Sequence, residues 1–342
     1  MKKYILSKNY KKLNGAGNKA KTDIECILAS LGYGNAGLRQ ATYQNLVRGF
    51  FHTFASVTKS LFILSAGDVL FVQYPFKKYY ALICRIARWK KAKVITLIHD
   101  LGSFRRKKLT VEKELKRLKG SDVLIVHNEK MKEWLLRHGY DKPMVSLEIF
   151  DYLSRSVPAV AEEAKGIYKV VYAGSLGDRK NGFLYKIDSL IHNWTLSLYG
   201  QGLAKSFIHS KIHLEYKGFV PSDRLIETAE GNFGLVWDGD SASTCSGAFG
   251  EYLKWNNPHK TSLYIRCHLP VIIWEKAALA TFVSENRIGF CINALDELDS
   301  KLLAITPETY AEMKQNVMKI SERLSTGYYT TKAVKEAEKL LG

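Results

Sequence analysis

Short apolar runs rich in β-branched and aromatic residues recur along the chain, and segments with helical spacing separate them. The runs of the first half are residues 4–7, 68–73, 93–99, 122–127 and 144–150. Those of the second half are residues 169–173, 194–199, 212–216, 233–237, 270–274 and 289–292. Because a strand that is followed by a crossover helix returns parallel to its predecessor, this alternation predicts an α/β fold with parallel sheets rather than a sandwich or a bundle.

A polar, proline-containing segment, residues 154–166, separates the two series and predicts a linker. We therefore expect an N-terminal Rossmann-like domain over residues 1–153 and a C-terminal Rossmann-like domain over residues 167–305. Residues 306–342 have apolar side chains at helical spacing and predict a pair of closing helices. Since ligands of such sheets bind at the carboxyl ends of the strands, the two domains are expected to face each other across a cleft.

The formal net charge of +18 comes from one half of the chain. Residues 1–157 contain 30 lysines and arginines and 12 acidic residues, whereas the remainder contains 21 of each. Such an excess attracts anionic partners, which include nucleic acid, lipid surfaces and phosphorylated substrates. No recognition helix, aromatic nucleic-acid motif or basic arm accompanies the charge, so specific nucleic-acid binding is not expected.

No stretch reaches the roughly 18 apolar residues that a membrane span requires. The five cysteines are scattered and contain no Cys-x-x-Cys, which predicts neither a disulfide framework nor a zinc site and favours a cytoplasmic location. Basic clusters at residues 85–93, 105–108 and 113–119, together with the aromatic segment 50–54, favour peripheral contact with the inner face of the plasma membrane. The alternative, that the apolar face of residues 82–87 only covers the sheet, leaves these cations unexplained.

Three consecutive strand ends of the second half carry residues suited to a nucleotide diphosphate. They are Gly174, Ser175 and Arg179 after the first strand, Tyr199 and Gly200 after the second, and Phe219 and Val220 after the third. Glycines allow close approach to the backbone, a guanidinium pairs with phosphate, and an aromatic ring can lie along a nucleobase. Each signal is weak alone, because glycine-containing turns are common and Phe219 could equally pack in the core, but their succession favours a nucleotide site.

The segment after residue 256 predicts a helix start that could bind an anion. Its members are Asn257, Pro258, His259, Lys260, Thr261 and Ser262. Proline suits the first helical turn and the asparagine before it suits the cap, so backbone N–H groups would emerge there. Lys260 adds a charge where a departing pyrophosphate becomes negative, and two hydroxyls add donors. The alternative is an ordinary capped helix with a solvated lysine.

The tripeptide Asp238-Gly239-Asp240 follows an apolar run, as the metal-binding Asp-x-Asp of GT-A glycosyltransferases does. Two carboxylates could hold Mn²⁺ or Mg²⁺ against a diphosphate. Its position late in the second series argues against a metal role. We expect Asp238 and Asp240 instead to cap a loop or to contact sugar hydroxyls.

In the first half, His99 and Asp100 end an apolar run and are candidates for the base of a group transfer. Asp100 is the first choice, with His99 positioning it or acting in its place. The structural alternative is that His99 bonds backbone and Asp100 caps the next helix.

The segment from Asn14 to Lys19 lacks the third glycine of a dinucleotide fingerprint, so it does not predict NAD binding. Gly15, Gly17, Asn18 and Lys19 are expected in a loop after the first strand, and a flexible surface loop is one interpretation of it.

Four segments, GLVWDGDS at residues 234–241, CSGAFGEYLKWNNPHKTSLY at 245–264, and the stretches 269–280 and 286–289, resemble the bacterial β-1,6-galactofuranosyltransferases of O-antigen and capsule assembly. The chain also resembles, more distantly, glucosyltransferases that extend sugars on serine-rich adhesins. Thinner matches lie at residues 173–174, 97–100, 149–153 and 18–20. The resemblance implies a GT-B fold, with a UDP-sugar held by the C-terminal domain. It also implies that Arg179 and Lys260 bind the diphosphate and that Phe219 lies beside the uracil. In a GT-B fold the first loop, with Gly15, Gly17, Asn18 and Lys19, is expected to reach the cleft and to contact acceptor or donor phosphate.

The expected function is therefore transfer of galactofuranose, with inversion, from UDP-galactofuranose to a hydroxyl of an oligosaccharide linked to polyprenyl pyrophosphate. No cofactor or metal ion is expected besides the UDP-sugar substrate. Transfer of glucose or another UDP-hexose to a glycan or glycoprotein remains an alternative, as does an inactive nucleotide-binding partner subunit. The sequence leaves open whether the chain forms a homo-oligomer.

Overall fold

The computed structural model describes residues 1–7, 16–39, 45–76, 79–105, 109–158, 167–204, 207 and 212–342. The chain forms two compact units: unit 1 comprises Met1–Asp151 with Gly327–Gly342, and unit 2 comprises Tyr152–Thr326. Within the described ranges, no helix is long and apolar enough to cross a membrane. Among the sequence predictions, Asn14, Gly15, the basic residues 106–108 and the linker residues 159–166 lie outside the described residues.

Each unit contains one parallel six-stranded sheet. The strands of unit 1 are β1 (Lys3–Ile5), β2 (Gly34–Asn35), β3 (Val69–Tyr74), β4 (Lys93–Ile98), β5 (Val123–Val126) and β6 (Met144–Ser146). The strands of unit 2 are β7 (Tyr168–Ser175), β8 (Trp194–Gln201), β9 (Leu214–Gly218), β10 (Phe233–Val236), β11 (Val271–Trp274) and β12 (Gly289–Ile292). The spatial orders are β2-β1-β3-β4-β5-β6 and β12-β11-β10-β7-β8-β9. The predicted α/β class with parallel sheets is confirmed.

The helices alternate with the strands along the chain. Those that begin in unit 1 are α1 (Ala16–Ser30), α2 (Leu46–Ile63), α3 (Tyr80–Trp89), α4 (Gly102–Arg105), α5 (Val111–Leu118) and α6 (Glu129–Arg137). Those of unit 2 are α7 (Asp178–Asn181), α8 (Ser222–Thr228), α9 (Gly247–Gly250), α10 (His259–Arg266), α11 (Ala280–Glu285), α12 (Leu298–Leu303) and α13 (Pro307–Thr326). The last helix, α14 (Tyr328–Lys339), returns to unit 1.

The central strands of both sheets are buried along their length, which explains why their sequences are almost continuously apolar. The core of unit 1 joins Phe71, Ile95 and Ile125 from the sheet to Val334 and Ala337 from α14. The last helix therefore completes the hydrophobic core of the first unit. In unit 2, the neighbours β7 and β10 mark the point where the strand order reverses, which is where ligands bind in doubly wound sheets.

The structure differs from the predicted division of the chain. Residues 306–342 do not form one closing pair, because α13 lies in unit 2 while the apolar face of α14 is buried in unit 1. The described part of the predicted linker is anchored in unit 2, where Arg266 Nη2 donates to the carbonyls of Ser154 (3.0 Å) and Ser156 (3.2 Å). The boundary between the units falls after Asp151 rather than after residue 153.

Asp151 is the last residue before the chain leaves unit 1. It binds the start of α14, where the chain returns to that unit. Its buried carboxylate accepts hydrogen bonds from the N–H groups of Tyr329 (3.2 Å) and Thr330 (2.6 Å) at the start of α14. Burial raises the pKa of Asp151 to about 6, partly offset by these hydrogen bonds. The outgoing and returning segments are thus held together inside unit 1.

The strands β7 and β8 pair along eight residue positions, and Gly200 lies opposite Gly174 near the carboxyl end of both. Gly200 has a φ of +151°, and a Cβ at this position would lie 1.8 Å from the Gly174 carbonyl oxygen. Only glycine fits here, because a side chain would drive the two strand ends apart.

We expect Gly200→Ala to lower the free energy of unfolding of unit 2 by roughly 2 kcal/mol or more, from a strained φ and a backbone clash. Gly177→Ala is the matched control, since Gly177 has a φ of −71° and a Cβ there would lie 3.6 Å from the nearest neighbour. Urea unfolding followed by tryptophan fluorescence measures both. Equal transition midpoints for the two variants would contradict the close approach of the strands.

Candidate functional site

The switch point of unit 2 brings together the carboxyl ends of β7 and β10. These strands pair directly, with Phe233 opposite Val170 and Gly234 opposite Val171. The residues that follow β10 therefore lie beside the end of β7. The first turn of α10 contributes Lys260 to the same edge of the sheet. The predicted site residues of this half can be placed relative to that edge.

A buried ion cluster occupies this point. Asp238 Oδ1 accepts from Lys260 Nζ at 2.7 Å and from the Tyr172 hydroxyl at 3.1 Å, while Asp238 Oδ2 lies 3.3 Å from Lys180 Nζ. Lys260 Nζ also donates to the Tyr172 hydroxyl (2.9 Å) and to the Trp237 carbonyl (3.3 Å), and it lies 4.2 Å from the centroid of the Tyr172 ring. Strand β7, the β10 end, α7 and α10 each contribute a side chain to this cluster.

The ionised groups described in this cluster carry a net positive charge. Burial lowers the pKa of Lys260 to about 8, and the attraction of Asp238 offsets part of this effect. Burial alone would raise the pKa of Asp238, but the ammonium groups of Lys260 and Lys180 hold it below its ordinary value. Burial raises the pKa of Tyr172 well above its usual range, so its hydroxyl stays neutral. Two cations and one anion leave an excess positive charge that suits a phosphate.

Lys180, rather than the predicted Arg179, reaches this cluster. Arg179 is exposed on the short helix α7, where its backbone N–H donates to Asp178 Oδ1 at 2.6 Å. Adjacent residues of a helical turn point about 100° apart, so only one of the two cations can face the buried carboxylate. Lys180, and not Arg179, is therefore the cation of α7 that contacts Asp238.

The predicted cap of α10 differs from the observed one. Pro258, not Asn257, occupies the N-cap position, with no side-chain capping bond. The Pro258 carbonyl accepts from the N–H of Thr261 at 2.9 Å, and Asn257 is buried just before the helix. The helix begins one residue later than predicted, and its first turn still delivers Lys260 to the ion cluster.

Two of the other predicted side chains of α10 are buried, and the third stacks on an aromatic ring. Thr261 and Ser262 are 0% and 1% exposed, so their hydroxyls are not presented to a ligand as the sequence analysis expected. The ring of His259 stacks on the ring of Tyr152, with centroids 4.7 Å apart. In the first turn, Lys260 is thus the residue that carries charge to the site.

At the end of β8, Tyr199 is a structural residue. It is buried, and its hydroxyl accepts from the N–H of Glu230 at 3.2 Å. Gly174 and Ser175, by contrast, are exposed at the end of β7 and can be approached by a ligand. Gly200, the predicted glycine at the end of β8, is buried and is therefore not presented in the same way.

Two aromatic residues lie exposed at the end of β9. Tyr216 donates its hydroxyl to the Gly200 carbonyl at 3.2 Å, and Phe219, just beyond the strand, is 55% exposed. Val220 beside it is half-buried. An exposed phenylalanine following a strand end has the flat apolar surface on which a nucleobase can stack. The alternative interpretation, that Phe219 packs in the core, is wrong.

The two carboxylates of the Asp-Gly-Asp tripeptide do not converge. Asp238 faces the lysines, whereas exposed Asp240 accepts from the Ser246 hydroxyl and its carbonyl accepts from Lys186 Nζ at 2.9 Å. Asp240 therefore organises the loop between β10 and α9. Among the described residues, no three His, Cys, Asp or Glu side chains come together as a metal site would require.

In unit 1, the ends of consecutive strands form a second cluster of polar side chains. His99, after β4, donates from Nε2 to Gln73 Oε1 at 2.6 Å, and its ring stacks on Phe150 with centroids 5.5 Å apart. His127, after β5, is fully buried; burial lowers its pKa to about 4, and the neighbouring charge of Asp100 opposes part of this. Since the amide oxygen accepts from Nε2, the other nitrogen of His99, Nδ1, is the one with an acceptor lone pair. His99 and Asp100 are both half-buried at this edge.

The predicted phosphate loop near residue 17 is helical. Gly17, Asn18 and Lys19 lie in the first turn of α1, and Lys19 Nζ pairs with Asp23 Oδ1 at 2.5 Å. The charge of Lys19 is thus matched within its own helix. The structure does not support a loop at these three residues.

The sequence analysis missed four residues that the structure places in the clusters: Tyr172, Lys180, Gln73 and His127. Gln73 and His127 are the last residues of predicted strands, so a search for polar side chains at every strand end would have found them. Tyr172 lies within a predicted strand, where an aromatic residue is expected to pack in the hydrophobic core. Its polar role depends on contacts with Lys260 that no local pattern reveals.

Comparisons with known proteins agree with this architecture. The family models for the N-terminal and C-terminal domains of glucosyltransferase 3-like proteins match residues 2–149 and 170–337. The β-1,6-galactofuranosyltransferase WbbI of Escherichia coli (strain K12) is 35% identical over 290 residues, which cover 82% of this chain and 83% of that protein. Glucosyltransferase 3 of Streptococcus gordonii is 25% identical over 285 residues, which cover 79% of each chain.

Among solved structures, the apo form of the lipopolysaccharide outer core galactosyltransferase WaaB is similar, with a TM-score of 0.61, 12% identity and 99% of both chains covered. This likeness shows the fold, which is that of GT-B glycosyltransferases. The chain belongs to the glucosyltransferase 3-like family and is a GT-B glycosyltransferase related to the bacterial β-1,6-galactofuranosyltransferases.

Proposed function

We propose that this glycosyltransferase transfers galactofuranose from UDP-galactofuranose to a hydroxyl of a lipid-linked oligosaccharide, with inversion to a β-linkage, in the synthesis of a lipopolysaccharide or related surface polysaccharide. The relative WbbI, whose name gives the galactofuranosyl group, supports the sugar. The observation that carries the proposal is the pairing of half-buried Lys180 and nearly buried Lys260 with buried Asp238 at the switch point of unit 2, with exposed Phe219 at another strand end of the same sheet. This arrangement offers cations to a diphosphate and a flat ring to a uracil.

In the proposed reaction, the acceptor oxygen forms a bond to the anomeric carbon while the bond from that carbon to the UDP oxygen breaks. The electron pair leaves with UDP, and the ammonium groups of Lys180 and Lys260 stabilise the negative charge that develops on its diphosphate. The acceptor proton passes to a base in unit 1. Asp100 is the proposed base, with His99, which Gln73 and Phe150 hold in place, as the alternative.

The donor is tested by thermal unfolding with UDP-galactofuranose, UDP-galactopyranose, UDP-glucose and UDP. A ligand at 100 times its Kd stabilises the native state by about 2.7 kcal/mol, so we expect the first sugar nucleotide and UDP to raise the Tm. EDTA should leave both the shift and turnover unchanged, because no metal ion is proposed. Restoration of lost turnover by Mn²⁺ would contradict the metal-independent reaction.

Lys260→Ala provides the matching variant, and Lys254→Ala, which removes an ammonium paired with Glu251 on the surface, provides its control. Loss of a buried charge-assisted contact should weaken UDP binding roughly 10- to 100-fold in the first variant only. A larger shift with UDP-glucose than with UDP-galactofuranose would favour glucosyl transfer, the activity in the name of the Streptococcus gordonii relative.

We expect Asp100→Asn to lower kcat at least 100-fold while UDP affinity stays unchanged, because the base takes no part in binding the donor. Steady-state kinetics and calorimetry with UDP measure the two effects. Nearly normal kcat in this variant, together with loss of activity in His99→Asn, would transfer the role of base to His99.

Contact with an anionic membrane is the remaining part of the proposal, and unit 1 supports it. Of the 51 lysines and arginines, 32 lie in unit 1 with 14 acidic residues, while unit 2 has equal numbers of each. Between Cys26 and His99 the only acidic residue is Asp68, which is buried, against ten lysines and arginines. Among its described residues, the helix α2 in this stretch exposes five large apolar side chains: Val47, Phe50, Phe51, Phe54 and Phe62.

We expect the protein to float with vesicles that contain phosphatidylglycerol and not with phosphatidylcholine vesicles, since each cation near the surface contributes about 1 kcal/mol. Phe51→Ser should reduce the bound fraction several-fold by removing an inserted ring. The control is Leu136→Ser, which changes an apolar residue on α6 that is 52% exposed, against 62% for Phe51. Equal flotation of both variants, or equal binding to both lipids, would contradict this surface.

A further inference from the structure

Asp238 takes part in the site in a way that neither a metal ligand nor a sugar contact would. Its side chain is 8% exposed, and both of its oxygens are engaged: Oδ1 by Lys260 (2.7 Å) and the Tyr172 hydroxyl (3.1 Å), and Oδ2 by Lys180 (3.3 Å). The carboxylate is therefore fully occupied by the two ammonium groups and the tyrosine hydroxyl.

We propose that Asp238 is a positioning residue, whose buried carboxylate fixes Lys180 and Lys260 and keeps Lys260 charged before the diphosphate arrives. This inference rests on the proposed donor site. It assigns the first aspartate of the tripeptide a role through the lysines rather than on the substrate.

The backbone next to Asp238 supports this role. The N–H of Gly239 donates to the Lys180 carbonyl at 3.0 Å, so the dipeptide holds Lys180 at both its backbone and its ammonium group. Gly239 has a φ of +117°, and a Cβ there would lie 2.4 Å from the Ser246 carbonyl oxygen. Because only glycine fits this turn, the direction in which Asp238 presents its carboxylate is fixed as well.

The charge of Lys260 depends on Asp238. The Lys260 side chain is 10% exposed, and a buried ammonium without a counter-ion gives up its proton. The other titratable groups that act on this cluster are Lys180, which opposes the charge of Lys260, and Tyr172, Cys245 and Tyr264. Burial raises the pKa of each of these last three, so they remain neutral near pH 8. Within the described residues of the cluster, Asp238 supplies the negative charge.

The pH dependence follows from the sign of these effects. With Asp238 present, Lys260 has a pKa of about 8, so UDP affinity should fall as the pH rises through that value. Without the carboxylate, burial and Lys180 both act to lower the pKa, so the fall should move to lower pH. A purely structural aspartate would change affinity equally at every pH.

The test measures the protonation of Lys260 directly and its effect on UDP affinity. In Asp238→Asn with ¹³Cε-labelled lysine, NMR titration of the ligand-free protein should show Lys260 losing its proton at least one pH unit lower than in the parent protein. Calorimetry should show that Asp238→Asn binds UDP at least tenfold more weakly than the parent protein at pH 7.5. This difference in affinity should become smaller as the pH falls to 6. Asp240→Asn, which removes an exposed carboxylate two residues away, is the matched control and should change neither measurement.

A second variant guards against misfolding of Asp238→Asn. Lys260→Arg retains its charge at all accessible pH values, so the decline of UDP affinity through pH 8 should disappear with Asp238 in place. An unchanged Lys260 titration in Asp238→Asn, or persistence of the alkaline decline in Lys260→Arg, would overturn the inference. If no variant and no parent protein binds UDP, the proposed donor fails, and the lysine titration still decides the role of Asp238.

Discussion

Parallel pairing of every strand is the constraint on which both units depend. In a parallel sheet each strand must be followed by a crossover, so all carboxyl ends meet at one edge and all connecting helices pack on the faces. The apolar side chains of the strands are buried in the core. The residues that can contact a ligand are therefore those just beyond the strand ends. The ion cluster around Asp238 in unit 2 and the polar cluster around His99 in unit 1 both lie at such strand ends.

The same rule explains how much the sequence could predict. Apolar runs located the central strands to within a few residues, because a strand buried on both faces leaves a continuous pattern. The edge strand β2, with two residues, leaves no pattern, and the 144–150 run is strand only over Met144–Ser146. Lys260 was found because a charge at a helix start is a local signal.

Other features depend on contacts that no local pattern shows. Whether Arg179 or Lys180 faces the buried carboxylate depends on the phase of a single helical turn. Whether Thr261 and Ser262 meet solvent depends on which side of α10 packs against the sheet. The assignment of α14 to unit 1 depends on an apolar face whose partner lies some 200 residues earlier in the chain.

The division of charge between the units matches a division of tasks. Unit 2 is electrically neutral as a whole and handles anions by placing a few cations where burial makes each one effective. Unit 1 carries the entire excess, spread over its surface where salt screens each charge. A charge held at a defined position can stabilise a transition state. Charges distributed over a surface can attract a partner but do not stabilise a particular transition state.

The path of the chain has a consequence for its synthesis on the ribosome. Unit 2 is one continuous segment, so all of its residues have been made once Thr326 is joined. Unit 1 is started first, yet its core lacks Val334 and Ala337 until α14 has been made, and the hydrogen bonds from the N–H groups of α14 to Asp151 form only then. Unit 1 can therefore complete its fold only after every residue of unit 2 has been joined.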